Sequence, residues 1–344
     1  MNKKLITLAV AAAVAAPMTA LAEVTIYGKA NVSYDAVKCD SDKRHYKITS
    51  NSAQGCSAGF DTDGDGFANF GSSAGPEGRA SRLGFKGSED LGNGLKAIWK
   101  MEFSVDQADN SAVNSNRNAY VGLASDAWGT ALIGRHDTPY KMATGKYDYF
   151  ADQLGDFNGT VGFEDLRAQN VVAYVSPNWA GFTLAGAAIS NGNDDDAANG
   201  YSIAGMYSNA GLNISLAYDR IDDDQLDGTS AAANLAEKKW TVGASYDMGA
   251  FGIAGRWESQ DNVYRGGAKI DDADNWQISG KYGFGNNVVK AFWGQNEVID
   301  LGSSRDAWGI GFDHNFTKRT QAYVQWVDVD KNFDGFSLGM VHKF

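Results

Sequence analysis

The chain has 344 residues, 4 of them proline and 41 glycine, with 12% aromatic residues and a formal net charge of -12 at pH 7. So acidic a balance argues against nucleic acid as a partner, because binding to a phosphate backbone depends on Lys and Arg. The abundance of glycine and the scarcity of proline favour many short strands joined by tight turns.

The first 22 residues have the pattern of a secretory signal peptide. Lys3 and Lys4 precede an apolar run over 5–21, which ends in the triplet Ala20-Leu21-Ala22. A basic start, a short apolar core and small residues at the end are typical of a cleaved leader, and the run is short for a spanning helix. We predict export, cleavage after Ala22, and one domain over residues 23–344.

A repeating unit begins at Glu23. About ten residues of alternating polarity are followed by a very short turn, ten more such residues and a longer polar loop. The sixteen segments predicted as strands are 23–35, 79–89, 94–106, 117–125, 129–137, 167–176, 181–190, 200–208, 211–220, 237–247, 250–258, 274–283, 286–296, 305–314, 319–329 and 334–344. The long connections, 36–78, 138–166, 221–236 and 259–273, all fall on one side. Short turns on one side and long loops on the other are typical of an outer-membrane barrel.

The alternation also separates two faces. In segment 94–106 one parity carries Trp99, Met101 and Phe103, and the other carries Lys100 and Glu102. A soluble sandwich alternates as well, so the pattern alone leaves both classes open. Strands of about ten residues, with aromatic residues at both ends of the apolar parity, favour lipid on that side. The aromatic pairs are Trp240 with Tyr246, Phe251 with Trp257, and Trp276 with Tyr282.

The connection 138–166 has no regular period and combines acidic with aromatic residues. Its acidic residues are Asp148, Asp152, Asp156, Glu164 and Asp165. Long loops without regular structure are uncommon in compact domains and are usually functional. A solvated surface loop is the alternative interpretation for this segment taken by itself.

Several stretches resemble Gram-negative general porins, and among them the Neisseria-type porins. The hairpin SRLGFKGSEDLGNGLKA from Ser81 to Ala97 is the most specific of these. Others follow in the same order: Arg117–Leu123, Gly134-Arg135, Tyr174–Phe182, Tyr207–Leu212 and the terminal Phe344. The resemblance extends over essentially all of 23–344.

The resemblance implies an all-β fold: a 16-stranded antiparallel transmembrane β-barrel, usually trimeric, whose third loop folds inward and narrows a water-filled channel. In this chain that loop is 138–166, and its acidic residues would face basic side chains of the wall. The basic candidates are Arg82, Lys86, Lys100, Arg135 and Arg167. Strand parity also points Lys96, Arg256, Lys281 and Lys290 inward. Arg135 shares the outward parity of Ala131 and Ile133, and reaches the lumen only if a bulge intervenes.

We expect no enzyme and no cofactor. The four histidines, His45, His136, His314 and His342, form no metal-binding pair or nucleophile constellation. Asp61, Asp63 and Asp65 match the first half of a calcium loop, but Ser72 stands where the pattern requires glutamate, which makes only a weak calcium candidate. Cys39 and Cys56 lie in one polar segment of an exported chain, which favours a disulfide.

The predicted function is therefore an outer-membrane diffusion channel for ions and small hydrophilic solutes. Its partners would be outer-membrane lipid and lipopolysaccharide, the latter through cations bound at acidic loops such as 194–196 and 222–224. Two alternatives remain: a barrel that acts mainly as an adhesin or structural anchor, and a substrate-specific channel. The small and charged residues on the inner parities argue against an aromatic-lined specific channel.

Overall fold

The computed structural model describes residues 23–39, 67–71, 79–105, 107, 113–190, 198–221, 236–265, 268–298, 303–330 and 332–344. The strands in chain order are β1 Glu23–Cys39, β2 Phe67–Gly71, β3 Arg82–Gly92, β4 Leu95–Val105, β5 Val113–Ser125, β6 Gly129–Asp137, β7 Arg167–Val175, β8 Phe182–Ile189, β9 Gly200–Asn209, β10 Leu212–Ile221, β11 Ala236–Met248, β12 Phe251–Arg265, β13 Ala268–Phe284, β14 Asn287–Val298, β15 Ser303–Asn315, β16 Thr320–Val329 and β17 Phe333–Lys343. Two short helices, α1 Pro139–Thr144 and α2 Phe157–Thr160, lie between β6 and β7. No helix within the described ranges is long and apolar enough to cross a bilayer.

The strands form one closed antiparallel barrel. From β3 to β17 each strand pairs with its neighbours in sequence, and β1 pairs with β17 from Lys29–Lys343 to Cys39–Phe333. The first half of β1 pairs with β3 and the second half with β2, so β2 and β3 share one position in the wall. The barrel therefore has 16 strand positions, as the sequence predicts. Closure leaves no open edge, which a strand wall in lipid requires.

Each of the sixteen predicted segments overlaps an observed strand, and most of the predicted bounds agree with the observed ones to within a few residues. The short strand β2 falls inside the connection 36–78 and was not predicted. β12 and β13 extend well past the predicted 250–258 and 274–283, because their outer ends continue to pair beyond the membrane-length portion. The leader 1–22, the cysteine Cys56, the side chain of Cys39 and the candidate calcium loop lie outside the described part, so those expectations remain predictions.

The two faces of the wall are reversed relative to a soluble protein. Large apolar side chains are exposed on the outer face, with Ile26 62% and Leu216 58% exposed as examples. Inward-facing positions are polar and nearly inaccessible, as Asn31, Thr241 and Gln277 show. A soluble sandwich would bury the apolar parity instead. The distribution fits a wall between lipid outside and a polar lumen inside.

Aromatic side chains form a belt on the outer face of β11–β14. The rings of Trp240 and Trp257 lie 4.3 Å apart, and those of Trp276 and Trp293 lie 4.7 Å apart. Trp293 pairs in turn with Trp308 of β15. Such belts occur where a barrel meets the interface between lipid and water. The aromatic residues predicted at one end of the apolar parity thus form one row of tryptophans across neighbouring strands.

The end of the chain closes the barrel. Phe344 and Gly28 exchange two backbone hydrogen bonds, at 3.0 and 3.1 Å. This pairing extends the contact of β17 with β1 to the last residue.

Candidate functional site

Residues 138–166 leave β6 and return to β7 as a compact, folded segment, which we call the inner segment. Thr138 caps α1 by accepting a hydrogen bond from the Lys141 amide, and Pro139 occupies the first helical turn. Both features favour a helix start there. Asp156 caps α2 in the same way, through the amide of Asn158. The segment has no regular period in sequence because each helix has only one or two turns.

The inner segment packs against side chains on the inner face of the wall. The Tyr140 hydroxyl donates to Glu258 of β12 at 2.6 Å, and the Tyr147 hydroxyl donates to Ser215 of β10 at 2.8 Å. The segment also buries the aromatic residues Tyr140, Tyr147, Phe150, Phe157 and Phe163. Because the wall residues in these contacts face the lumen, we infer that the segment lies inside the barrel.

Glycines on the inner face make room for this packing. A Cβ atom at Gly243 of β11 would lie 2.2 Å from the Tyr147 ring, and one at Gly294 of β14 would lie 2.8 Å from Val161. Real Cβ atoms do not approach side chains so closely. Glycine at these two wall positions therefore lets the segment lie flat on β11–β14.

The five acidic residues of the segment have three different surroundings. Asp148 accepts hydrogen bonds from the amides of Phe150 and Phe157, at 2.7 and 3.1 Å. Asp156 accepts from the amides of Asp152 and Asn158, both at 2.9 Å. These two carboxylates therefore hold the backbone of the segment together.

Burial dominates the ionisation of both groups. It raises the pKa of Asp148 well above its usual value, and the neighbouring carboxylate of Asp156 raises it further. Burial likewise raises the pKa of Asp156 to about 6, against the lowering effect of the amide of Asp152 that donates to it. These two groups gain protons at a higher pH than a solvated carboxyl does.

Glu164 and Asp165 tie the end of the segment to the wall. Glu164 lies 3.3 Å from the Lys239 ammonium and accepts from the Ala236 amide at 3.0 Å. Asp165 lies 3.5 Å from the guanidinium of Arg256 and accepts from Thr144 at 2.9 Å. Burial raises the pKa of Glu164, which the nearby Lys239 opposes.

Asp152 faces the other way, towards β1 and β3. Its carboxylate forms an ion pair with Lys29, and its carbonyl accepts from the Asn31 side chain at 2.8 Å. Burial raises the pKa of Asp152, but the charges of Lys29 and Arg82 outweigh it, so the net shift is downward. Its φ of 61° lies in the left-handed region, which is uncommon outside glycine. Such a conformation persists only where the surroundings hold it in place.

The wall beside Asp152 carries a cluster of bases. Arg82 pairs directly with Lys29, and Lys86 pairs directly with Lys100 in the next hairpin. The ammonium groups of Lys86 and Lys100 lie 5.5 and 5.6 Å from the centre of the Tyr27 ring. Like charges directly opposite in a sheet destabilise it, so such a cluster indicates a role other than stability.

We call this cluster the basic wall; its members are Lys29, Arg82, Lys86, Lys100 and Arg117. Glu102 contacts two of them, Lys100 and Arg117. The carboxylate of Glu102 accepts from Arg117 at 2.6 Å and from the Tyr27 hydroxyl at 2.7 Å, and Lys100 lies 3.3 Å away. Within the described part of the chain, Arg82 and Lys86 have no carboxylate at ion-pair distance.

Of the two remaining predicted bases, Arg167 lies next to the basic wall, since it donates to the side chain of Asn118, the neighbour of Arg117, at 3.0 Å. Arg167 pairs with Asp137 at 2.8 Å at the outer end of β6 and β7. Arg135 pairs in register with Ala119, whose own partner Met101 is exposed on the outer face. The break in register near Arg135 affects the pairing of β6 with β7 and not with β5. Arg135 therefore keeps the outward parity of its strand.

The inward-pointing bases of the far wall touch the inner segment or its neighbourhood. Arg256 lies 4.3 Å from the Phe163 ring, and Lys281 lies 4.4 Å from the Tyr149 ring. Lys290 donates to Tyr149 and to Gln153. These bases support the segment from beneath, whereas the segment meets the basic wall through the ion pair of Asp152 with Lys29.

Sequence reasoning missed Lys29, Arg117 and Lys239 as site residues. Lys29 could have been found, because β1 alternates polar Tyr27, Lys29 and Asn31 with apolar or small neighbours. Arg117 lies at the limit of a predicted strand, so its parity was not defined. Lys239 lies next to the outward Trp240 and so has the inner parity, but no local signal indicates its contact with Glu164, which is 75 residues away in sequence.

Comparisons with known proteins agree with this architecture. A model of the Gram-negative porin family matches residues 8–334. The major outer membrane protein P.IB of Neisseria gonorrhoeae is 29% identical, over 97% of this chain and 96% of that protein. Among solved structures, the anion-selective porin from Comamonas acidovorans superposes with a TM-score of 0.69 at 21% identity, covering 94% of this chain and all of that one. The trimer form of OmpT from Vibrio cholerae superposes with a TM-score of 0.63 at 15% identity, covering 94% and 99%. At these identities the two structures show the fold alone.

Proposed function

Since the chain belongs to the Gram-negative porin family and is an outer-membrane diffusion channel, we propose that its passage runs along the basic wall, beside the ion pair of Asp152 with Lys29, and that it favours anions. The observation that carries this proposal is the imbalance of charge there. Lys29, Arg82, Lys86, Lys100 and Arg117 outnumber the acids Asp152 and Glu102. Fixed charge at close quarters makes a wide pore selective. The net charge of the whole chain is negative, but it does not decide the selectivity of the passage.

Two further features of the proposal rest on related proteins. The Comamonas acidovorans porin is described as anion-selective, and OmpT of Vibrio cholerae as a trimer. We propose the same sign of selectivity and the same assembly for this chain. The apolar outer wall also makes outer-membrane lipid its neighbour, and lipopolysaccharide is the proposed partner of the acidic outer loops. The predicted loops 194–196 and 222–224 fall in stretches outside the described residues.

Liposome swelling tests the channel function. Vesicles containing refolded 23–344 should swell in small uncharged sugars, at rates that fall as the sugar becomes larger. Small organic anions should enter faster than cations of equal size. A protein that inserts but admits no solute would favour the adhesin or anchor alternative. Rapid uptake of one solute and exclusion of others of equal size and charge would favour a substrate-specific channel.

Replacing Asp152 by Asn should increase the preference for anions. The substitution removes a negative charge at the passage, and Asn tolerates the left-handed backbone found there. We expect the anion-to-cation permeability ratio to rise by roughly twofold, since one charge near an ion in water contributes about 1 kcal/mol before screening. The ratio follows from the reversal potential in a salt gradient.

The matched control for this prediction is Asp148→Asn. That carboxylate is bonded within the segment and should affect the ratio less. Neutralising Asp148, Asp152 and Asp156 together should also shift selectivity towards anions. An unchanged reversal potential in the triple variant would show that none of the three residues lies at the passage.

Acidification from pH 7 to pH 5 should also increase the preference for anions, because Asp156, unlike Asp148, accepts a hydrogen bond from the amide of Asp152 and so lies next to the passage. The pKa of Asp156 is about 6, so this carboxyl loses its negative charge over that range. The carboxylates facing it are Asp148, Asp152 and Asp165. A raised carboxyl pKa means that the folded state binds the proton more tightly than the unfolded state. This group therefore stabilises the fold more as the pH falls through 6, so the shift in selectivity should occur without unfolding.

The reversal potential at the two pH values measures this effect. The measurement uses a His136→Gln background, because the His136 ring lies against Tyr120 on the inner wall and histidine as a residue type can change charge between pH 5 and pH 8. In that background, Asp156→Asn should reduce the pH dependence. An equal shift with and without Asp156 would contradict the assignment.

A further inference from the structure

Lys290 of β14 makes an unusually complete set of contacts with the inner segment. Its ammonium lies 3.0 Å from the carbonyl of Tyr149, 2.8 Å from the side-chain oxygen of Gln153, and 2.9 Å from the carboxylate of Asp313. A lysine ammonium has three donors. Two of them therefore serve the segment, and the third serves Asp313 on the neighbouring strand β15.

Apolar packing surrounds this charge. Lys290 is 3% exposed, and its ammonium lies 4.6 Å from the centre of the Phe150 ring. Phe150 is fully buried and contacts the Phe292 ring, with the centroids 5.0 Å apart. A buried ammonium is costly unless its donors are satisfied. Lifting the segment off the wall would leave two of the three donors without their acceptors.

The acceptors of Lys290 flank the residue that faces the passage. Tyr149 and Gln153 lie on either side of Asp152, whose left-handed backbone has to be held by its surroundings. Lys290 therefore fixes the part of the segment that carries the acidic side of the passage. It does so from the opposite wall, without touching the basic wall.

We infer that Lys290 is a positioning residue that sets the width and selectivity of the passage by holding residues 149–153 against β14. The inference rests on the proposed passage along the basic wall, beside the ion pair of Asp152 with Lys29. The wall lies directly behind the held residues, so a released segment can move only towards the lumen. Release should therefore narrow the passage and make it fluctuate.

The test is single-channel recording of the double variant Lys290→Met/Asp313→Asn in the full 23–344 barrel. Methionine keeps the length and packing of the side chain, and Asn avoids a buried unpaired carboxylate. Because one positive and one negative charge are removed together, net lumen charge is unchanged. The matched control is Lys318→Met/Asp126→Asn, which removes the same two charges from exposed turns.

We expect the conductance of the double variant to be roughly twofold lower, because a displaced segment narrows the passage. Its recordings should also show frequent brief closures and a shifted reversal potential. The control should match the parent. Conductance and reversal potential equal to those of the parent, in a variant that folds, would overturn the inference. If the double variant fails to fold, Gln153→Leu removes one acceptor from the segment alone. That variant should show closures of the same kind, and steady parental conductance in it would overturn the inference.

The recordings also separate this inference from the proposed function. A parent barrel that does not conduct, or that prefers cations, would refute the proposed passage. A parent that conducts and prefers anions, with an unaltered double variant, would refute the role of Lys290 alone.

Discussion

Reversing the charge of two lysines, Lys86→Glu and Lys100→Glu, should turn the preference for anions into a preference for cations. The two ammonium groups face each other across β3 and β4 and lie beside the Tyr27 ring. Before the reversal, the five bases of the basic wall outnumber the two acids Asp152 and Glu102; after it, three bases stand against four acids, so the excess charge becomes negative. With about 1 kcal/mol for each charge near an ion in water, we expect the permeability ratio to change by roughly tenfold after screening. The reversal potential in a salt gradient should change sign.

The matched control reverses the same number of charges away from the lumen. Lys318 and Arg319 are exposed in the turn between β15 and β16, so Lys318→Glu/Arg319→Glu should leave the reversal potential near that of the parent. Equal shifts in the two double variants would mean that overall charge sets the selectivity. The basic wall would then have no special role.

Replacing Arg256 by Met should strongly destabilise the barrel. Its guanidinium lies 2.6 Å from Glu258 and 3.5 Å from Asp165, and it stacks on the Phe163 ring at 4.3 Å. Arg256 is 4% exposed, and Glu258 is fully buried. Removing one partner of a buried ion pair leaves an uncompensated charge, which costs about 3–5 kcal/mol.

The temperature at which the folded barrel loses its compact electrophoretic mobility in detergent measures this loss. The midpoint should fall clearly for Arg256→Met and recover in part for Arg256→Met/Glu258→Gln, since the second change removes the unpaired carboxylate. Arg319→Met, at an exposed position, serves as the control. A midpoint equal to that of the parent would show that the network around Arg256 does not stabilise the fold.

The strand wall was predictable because each strand carries its own local signal. Alternating polarity identifies the outward Trp276 and the inward Gln277 without knowledge of the rest of the chain. Lipid outside and water inside make this alternation strict. β2 was missed because five residues within a long connection give too few alternations to recognise. Its partner, the second half of β1, gave no separate indication of it.

The roles of individual acidic residues could not be predicted in the same way. Asp148, Asp152 and Asp156 are equivalent in sequence, yet two bond to the backbone of the inner segment and one pairs with β1. The contact between Asp152 and Lys29 joins residues 123 apart in sequence. Such pairings depend on how the segment packs against the wall, which has no periodic signature. Family resemblance predicted the place of the segment, and side-chain contacts were needed to assign its residues.

The reversal potential of single channels of refolded 23–344, in a planar bilayer with a salt gradient, tests the central claim most directly. We predict discrete conductance steps, often in groups of three, with a reversal potential of the sign expected for an anion-preferring passage. Steps with a cation-preferring reversal potential would contradict the proposed dominance of the basic wall. A folded barrel that inserts and conducts no current would mean that the inner segment closes the lumen, and would contradict the proposed passage as a whole.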